Sequence, residues 1–173
     1  MELKKESMQI LKEKSRAKSQ ITFDEDFNVP DAKPDAGRLI QNKGRIIMDD
    51  VRLTDGKGIL TGNLQVDILY VGEERGIVSS LTAKLPFEET LNLKNIINGD
   101  KMCLKWEIED LTIRLIHSRK LNIKALVTFC ATVDETEQIR LPVALDAEEV
   151  SVRKKTVRFW DLPYIKRYTP DQG

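Results

Sequence analysis

The stretch ILTGNLQVDILYV, residues 59–71, constrains this chain more than any other. Leu60, Leu64, Val66, Ile68 and Tyr70 fall on one parity, with Thr61, Asn63, Gln65 and Asp67 on the other. Side chains alternate faces along a strand, so a period of two means a half-buried β-strand. The segment DGKG at 55–58 supplies turn chemistry before it, and GRIIMDDVRL at 44–53 precedes the turn. Residues 44–71 therefore read as a β-hairpin.

The same period continues down the chain. After the turn GEERG (72–76), Ile77, Leu81, Ala83 and Leu85 share a face. Pro86 follows, and a proline without an N–H belongs at an edge, a strand start or a bulge. Phe87, Leu91 and Leu93 resume the pattern. Met102, Leu104, Trp106 and Ile108 form the next apolar set, which shifts to Leu111, Ile113 and Leu115. That change of parity at Glu109–Asp110 predicts a bulge or break, because a one-residue slip turns every side chain to the other face. Leu121, Ile123, Ala125, Val127, Phe129, Ala131 and Val133 alternate without interruption, and QIRLPVAL (138–145) adds Ile139, Leu141 and Val143, with Pro142 marking an edge or exit. Near the start, Ile21, Phe23, Phe27 and Val29 make a strand of residues 20–29. The expected fold is mainly β: an antiparallel sandwich or partly open barrel, with one short helix over DAGRLIQN (35–42), where Asp35 would cap the first amides.

Between the first strand and the hairpin lies VPDAKPDAG, with two Pro-Asp pairs four residues apart. Each proline holds the preceding residue, Val29 or Lys33, in extended geometry, and each aspartate can accept hydrogen bonds from amides just ahead. Pro30, Asp31, Pro34 and Asp35 thus read as a stiff structural corner. A catalytic carboxylate pair would need a neighbouring histidine or metal ligand, and the sequence places none beside them.

Other chemistry is sparse. His117 is the sole histidine, and Ser118 beside it would point to the opposite face of a strand. Gly56, Gly58 and Gly62 fall between two strands with no helix to receive a phosphate, so they read as a hairpin turn. Cys103 and Cys130 lack CxxC spacing, and they read as ordinary thiols that pair only if their strands are neighbours. No metal site, catalytic residue or cofactor is indicated. Lys plus Arg equals Asp plus Glu at 28 each, which argues against a general nucleic-acid binder. No signal peptide and no membrane-spanning apolar run is evident, which leads to an expected cytoplasmic location without membrane insertion. The segment VRKKTVRFWDLPYIKRY near the end mixes cations with aromatics. It reads as a strand with an aromatic anchor, and Arg158, Trp160, Tyr164 and Arg167 are its candidate protein-contact residues.

In order along the chain, VPDAKPDAGRLIQNKGRI, GILTGNLQVDILYV, LPFEETLNL and RKLNIKALVTF resemble the SPOCS domain of SipL-like proteins. That family of spore-forming Firmicutes is tied to spore coat and cortex morphogenesis. The resemblance runs from about Phe27 to Leu145. It implies a non-catalytic scaffold that attaches coat to the forespore surface and engages the polymerising coat-basement ATPase. Family members commonly carry a C-terminal LysM module, and none is evident here. The expected organisation is a charged extension over 1–19, a SPOCS-like β domain over 20–150, and a C-terminal strand and polar tail over 151–173. Expected partners are other coat or coat-basement proteins, with a homo-oligomer through edge strands as a further option. The alternative function is a carbohydrate- or peptidoglycan-binding β-module.

Overall fold

The structure, a computed structural model, describes residues 2–74, 76–97, 99–146, 151 and 153. Six strands follow in chain order: β1 (Glu2–Asn28), β2 (Ala36–Thr54), β3 (Lys57–Gly72), β4 (Val78–Asn92), β5 (Lys101–His117) and β6 (Lys120–Asp146). They form two antiparallel three-stranded sheets, β1-β6-β5 and β2-β3-β4. β1 packs over β4 and β5 over β2, so β6 and β3 run down the middle of a sandwich that does not close into a barrel.

The alternation read from sequence becomes the core. Leu60, Leu64, Val66, Ile68 and Tyr70 of β3 are all buried, and so are all seven odd-numbered residues from Leu121 to Val133 of β6. Phe23 of β1, Phe87 of β4 and Phe129 of β6 bridge the sheets. The Phe87 ring meets Phe23 edge-on at 6.2 Å and Phe129 tilted at 5.2 Å. The expected bulge lies between Ile108 and Asp110, and it keeps Leu111, Ile113 and Leu115 on the inner side. Pro86 lies in the edge strand β4, and Pro142 sits at a register shift in the part of β6 that pairs with β1 alone.

Two turn details follow from backbone chemistry. Gly56 takes φ +76° in the two-residue turn between Thr54 and Lys57, a conformation costly for a side chain. At Gly62 an added Cβ would lie 2.4 Å from the Ile47 carbonyl, so the close approach of β2 to β3 requires glycine there.

Several expectations are corrected. The helix over 35–42 is not formed: Ala36 begins β2, and no helix occurs among the described residues. Asp35 cannot act as a helix cap because its carboxylate is taken by Arg119 and Ser118, while the Ala36 N–H donates to the Ser118 carbonyl at 2.7 Å. Arg38 and Leu39 instead pair with Val71 and Tyr70, with bulges on either side of Leu39 absorbing the bend. Trp106 lies opposite Phe129 and so has the inward phase, but it is 38 % exposed because β5 is an edge strand. Ile77 precedes β4 and is exposed. The first strand does not start at Gln20; it runs back to Glu2.

Candidate functional site

The two Pro-Asp pairs form the connection by which the chain leaves one sheet and enters the other. β1 ends at Asn28, β2 begins at Ala36, and Pro30 to Asp35 cross the end of the sandwich between them. A tight backbone bond from Lys33 N–H to the Pro30 carbonyl, at 2.9 Å, closes the first turn. The hairpin turn between β5 and β6, His117 to Lys120, lies against this crossing.

Arg119 in that turn is the hub. One guanidinium nitrogen donates to the Lys33 carbonyl at 2.8 Å and to the Asp35 carboxylate at 2.9 Å. The other donates to the Val29 carbonyl at 3.0 Å and to the Asp31 carboxylate at 3.3 Å. The planar, multi-donor fork of arginine suits such a cluster of acceptors, where a lysine would present a single point charge. Backbone bonds reinforce the contact: Val29 N–H donates to the Arg119 carbonyl at 2.9 Å, and Glu73 N–H donates to the Asp35 carbonyl at 2.8 Å. The Ser118 hydroxyl donates to Asp35 at 3.3 Å. From the opposite sheet, the buried Tyr70 hydroxyl donates to the Pro34 carbonyl at 2.8 Å.

The periodicity of two thus feeds the corner directly. Tyr70 is the last inward residue of the β3 alternation before Gly72, and its position carries its hydroxyl to the second Pro-Asp unit. Asp31 and Asp35 converge on one cation. Sequence reasoning missed Arg119, which is 84 residues away from Asp35. The only signal was the pair of adjacent cations Arg119 and Lys120 in the short segment SRK, just ahead of an uninterrupted strand pattern.

Little else gathers here as a reactive group. His117 accepts the Arg119 N–H through Nδ1 at 3.2 Å, while the Ser118 hydroxyl is directed to Asp35. Among the described residues no group of three or more His, Cys, Asp or Glu is placed to hold a metal ion. Cys103 and Cys130 do lie on neighbouring strands, but they are offset: Cys103 faces Thr132 and Cys130 faces Lys105, and they are not joined by a disulfide. Arg158, Trp160, Tyr164 and Arg167, the expected contact residues, lie outside the described residues.

A second constellation marks the other end of the sandwich. Lys14 is the extra residue at a bulge in β1, and its ammonium meets Asp100 of the β4–β5 loop at 2.9 Å, both side chains being mostly buried. Asp100 also accepts the Ile97 N–H at 2.8 Å. The Lys14 ammonium first, and the Ile97 amide second, hold the Asp100 carboxyl below its usual range. On the outer face of the first sheet, Asn122 donates to both Asp24 and Asp26 at 3.0 Å, with Lys124 and Lys120 beside them. These partners lower both carboxyls, Asn122 most for Asp24 and Lys120 most for Asp26.

No curated protein and no solved structure matches the chain. A protein-family comparison does: residues 35–116 match the SipL, SPOCS domain model. The matched region starts at the second aspartate of the corner and takes in β2, β3, β4 and nearly all of β5. β1, the first Pro-Asp pair, Arg119 and β6 lie outside it, so the match is narrower than the resemblance over 27–145. Over this hairpin-built segment the chain is similar to the SipL, SPOCS domain family.

Proposed function

We propose that this chain is a non-catalytic scaffold domain of spore-envelope assembly, working on the mother-cell side of the forespore surface by binding coat or coat-basement proteins. The observation that carries the reading is the family match over 35–116. The clasp supports it from the chemical side. One concentrated charged group, Arg119 with Asp31 and Asp35, is committed to main-chain carbonyls and to fixing a sheet crossing. A rigid sandwich with satisfied buried polar groups offers surfaces and edges to partners. The partner class that the family suggests is the polymerising ATPase of the coat basement layer.

The test is capture of partners by the full chain from sporulating cells, together with deletion of the gene. Recovery of coat or basement-layer proteins and a displaced coat after deletion are the expected results. Normal coat placement after deletion, or capture of none of these proteins, overturns the reading.

A second reading, a carbohydrate- or peptidoglycan-binding β-module, has one observation in its favour: the indole of Trp106 is partly open to solvent at the sandwich margin. Titration with wall fragments separates the two. Saturable quenching of the fluorescence that is lost in Trp106→Leu supports the carbohydrate reading, and a flat titration removes it.

A further inference from the structure

The outer face of the sheet β1-β6-β5 carries two thiols one row apart. The odd-numbered residues of β6 from Leu121 to Val133 point into the core, so Cys130 and Thr132 point out. The register sets Arg16, Thr132 and Cys103 side by side across β1, β6 and β5. It sets Lys18, Cys130 and Lys105 side by side in the next row. Cys103 and Cys130 are thus diagonal neighbours on one face, and both are half-buried.

Cations border the pair. Glu13 grips the Arg16 guanidinium at Nε, 3.0 Å, and at Nη2, 2.7 Å, while Nη1 donates to the Cys130 sulfur at 3.8 Å. Lys18 and Lys105 stand opposite Cys130 on either side. Carboxylates enter this face in the neighbouring rows, with Glu107 opposite Thr128 on one side and Glu13 and Asp134 paired on the other. A cationic, partly open surround separates reactive cysteines from inert buried ones, because it stabilises the negative charge on an attacking sulfur. A second thiol nearby makes oxidation reversible, since it converts a sulfenic acid into a disulfide.

We propose that Cys130 and Cys103 are a two-cysteine redox switch, in which a hydroperoxide oxidises Cys130 and Cys103 then closes a reversible disulfide between β6 and β5. The Cys130 thiolate attacks one peroxide oxygen. The O–O bond breaks, and the other oxygen leaves as water or an alcohol, taking the proton that Cys130 gave up. Cys130 is now a sulfenic acid. The Cys103 sulfur attacks the Cys130 sulfur, the S–O bond breaks, and the hydroxyl leaves as water with the Cys103 proton. Two thiols have lost two electrons between them, and one peroxide has been reduced.

The span makes this bond labile. Diagonal residues on one sheet face lie about 7 to 8 Å apart between Cα atoms, and a disulfide spans up to about 6.8 Å. Closure therefore draws the start of β5 towards β6 by roughly 1 Å. β5 is the end strand of its sheet and starts directly after the loop from β4, so the shift is taken up there. A disulfide closed against such strain is more readily reduced than a relaxed one, which is the property of a regulatory bond.

The test treats the reduced full chain with equimolar hydrogen peroxide and follows thiol content and mass. The expected product is a chain lighter by two hydrogens, with Cys103 and Cys130 joined in the peptide map, and a dithiol reductant should return it to the starting mass. This arm needs no variant. In Cys103→Ser, dimedone should label Cys130 as a trapped sulfenic acid. In Cys130→Ser, Cys103 should react about tenfold more slowly, and Arg16→Met should slow the Cys130 reaction several-fold. Circular dichroism checks that each variant keeps the wild-type sheet content. Thiols that survive the peroxide, or oxidation that ends in sulfinic acids or in disulfides between chains, overturn the proposal. So do equal rates in the two single-cysteine variants, or an Arg16→Met chain as fast as the wild type.

Discussion

Replacing Arg119 by alanine removes four hydrogen bonds that tie the β5–β6 turn to the sheet crossing. They are not equal. The Lys33 and Val29 carbonyls are partly buried acceptors for a charged donor, and such bonds are worth about 1.5 kcal/mol each or somewhat more. Asp31 is fully exposed and contributes nothing measurable, whereas Asp35 is half-exposed and adds under about 1 kcal/mol after solvent screening. Arg119→Ala should therefore cost about 3 to 4 kcal/mol, with most of the loss arising at the two carbonyls. Urea unfolding followed by circular dichroism reads this as a lower midpoint with an unchanged slope. Arg119→Lys should recover less than half of the loss, since an ammonium cannot span the same acceptors. Asp31→Asn/Asp35→Asn should cost about 1 kcal/mol or less. If that double variant is as unstable as Arg119→Ala, or if high salt erases the Arg119 effect, the clasp is held by its ion pairs and the reasoning fails.

Tyr70→Phe should cost about 1 kcal/mol by removing the hydroxyl that donates to the Pro34 carbonyl, and amide exchange should rise locally over residues 30–37. Phe129→Ala opens a cavity at the aromatic bridge between the sheets and should lower unfolding free energy by about 3 to 5 kcal/mol. Gly62→Ala forces the β2–β3 ladder apart at Ile47 and should cost about 2 kcal/mol or more in the same unfolding assay, because the obstructing atom belongs to the backbone. Asp24, Asp26 and Asp100 all have folded-state carboxyls lowered from the ordinary value of 3.8. Their stabilisation is complete above that value and is lost as pH falls through the lower folded values. Unfolding free energy measured against pH should therefore drop on the acid side, and the drop should be smaller in Asp100→Asn.

The sequence by itself determined the pleated ribbon and its inward faces. Alternation along 59–71 and 121–133 predicts burial residue by residue, because the strand period of two depends only on neighbouring positions. The bulge near Asp110 was legible for the same reason: a change of parity is a local event. The helix over 35–42 failed where local propensity competed with distant partners. Asp35 reads as a helix cap until Arg119 and Ser118, more than eighty residues on, claim its carboxylate. Trp106 has the phase of a core residue, and only the strand order, which leaves β5 at an edge, exposes it. The tertiary structure likewise decided that residues 2–19 extend β1 as a partner of β6, since their mixed charges carry no clean period. Two kinds of information separate here. Which face of a strand turns inward is written in adjacent side chains. Which strands meet, which cation closes a corner, and which strand is left at an edge depend on contacts between residues far apart in the chain, whose pairing no local pattern encodes.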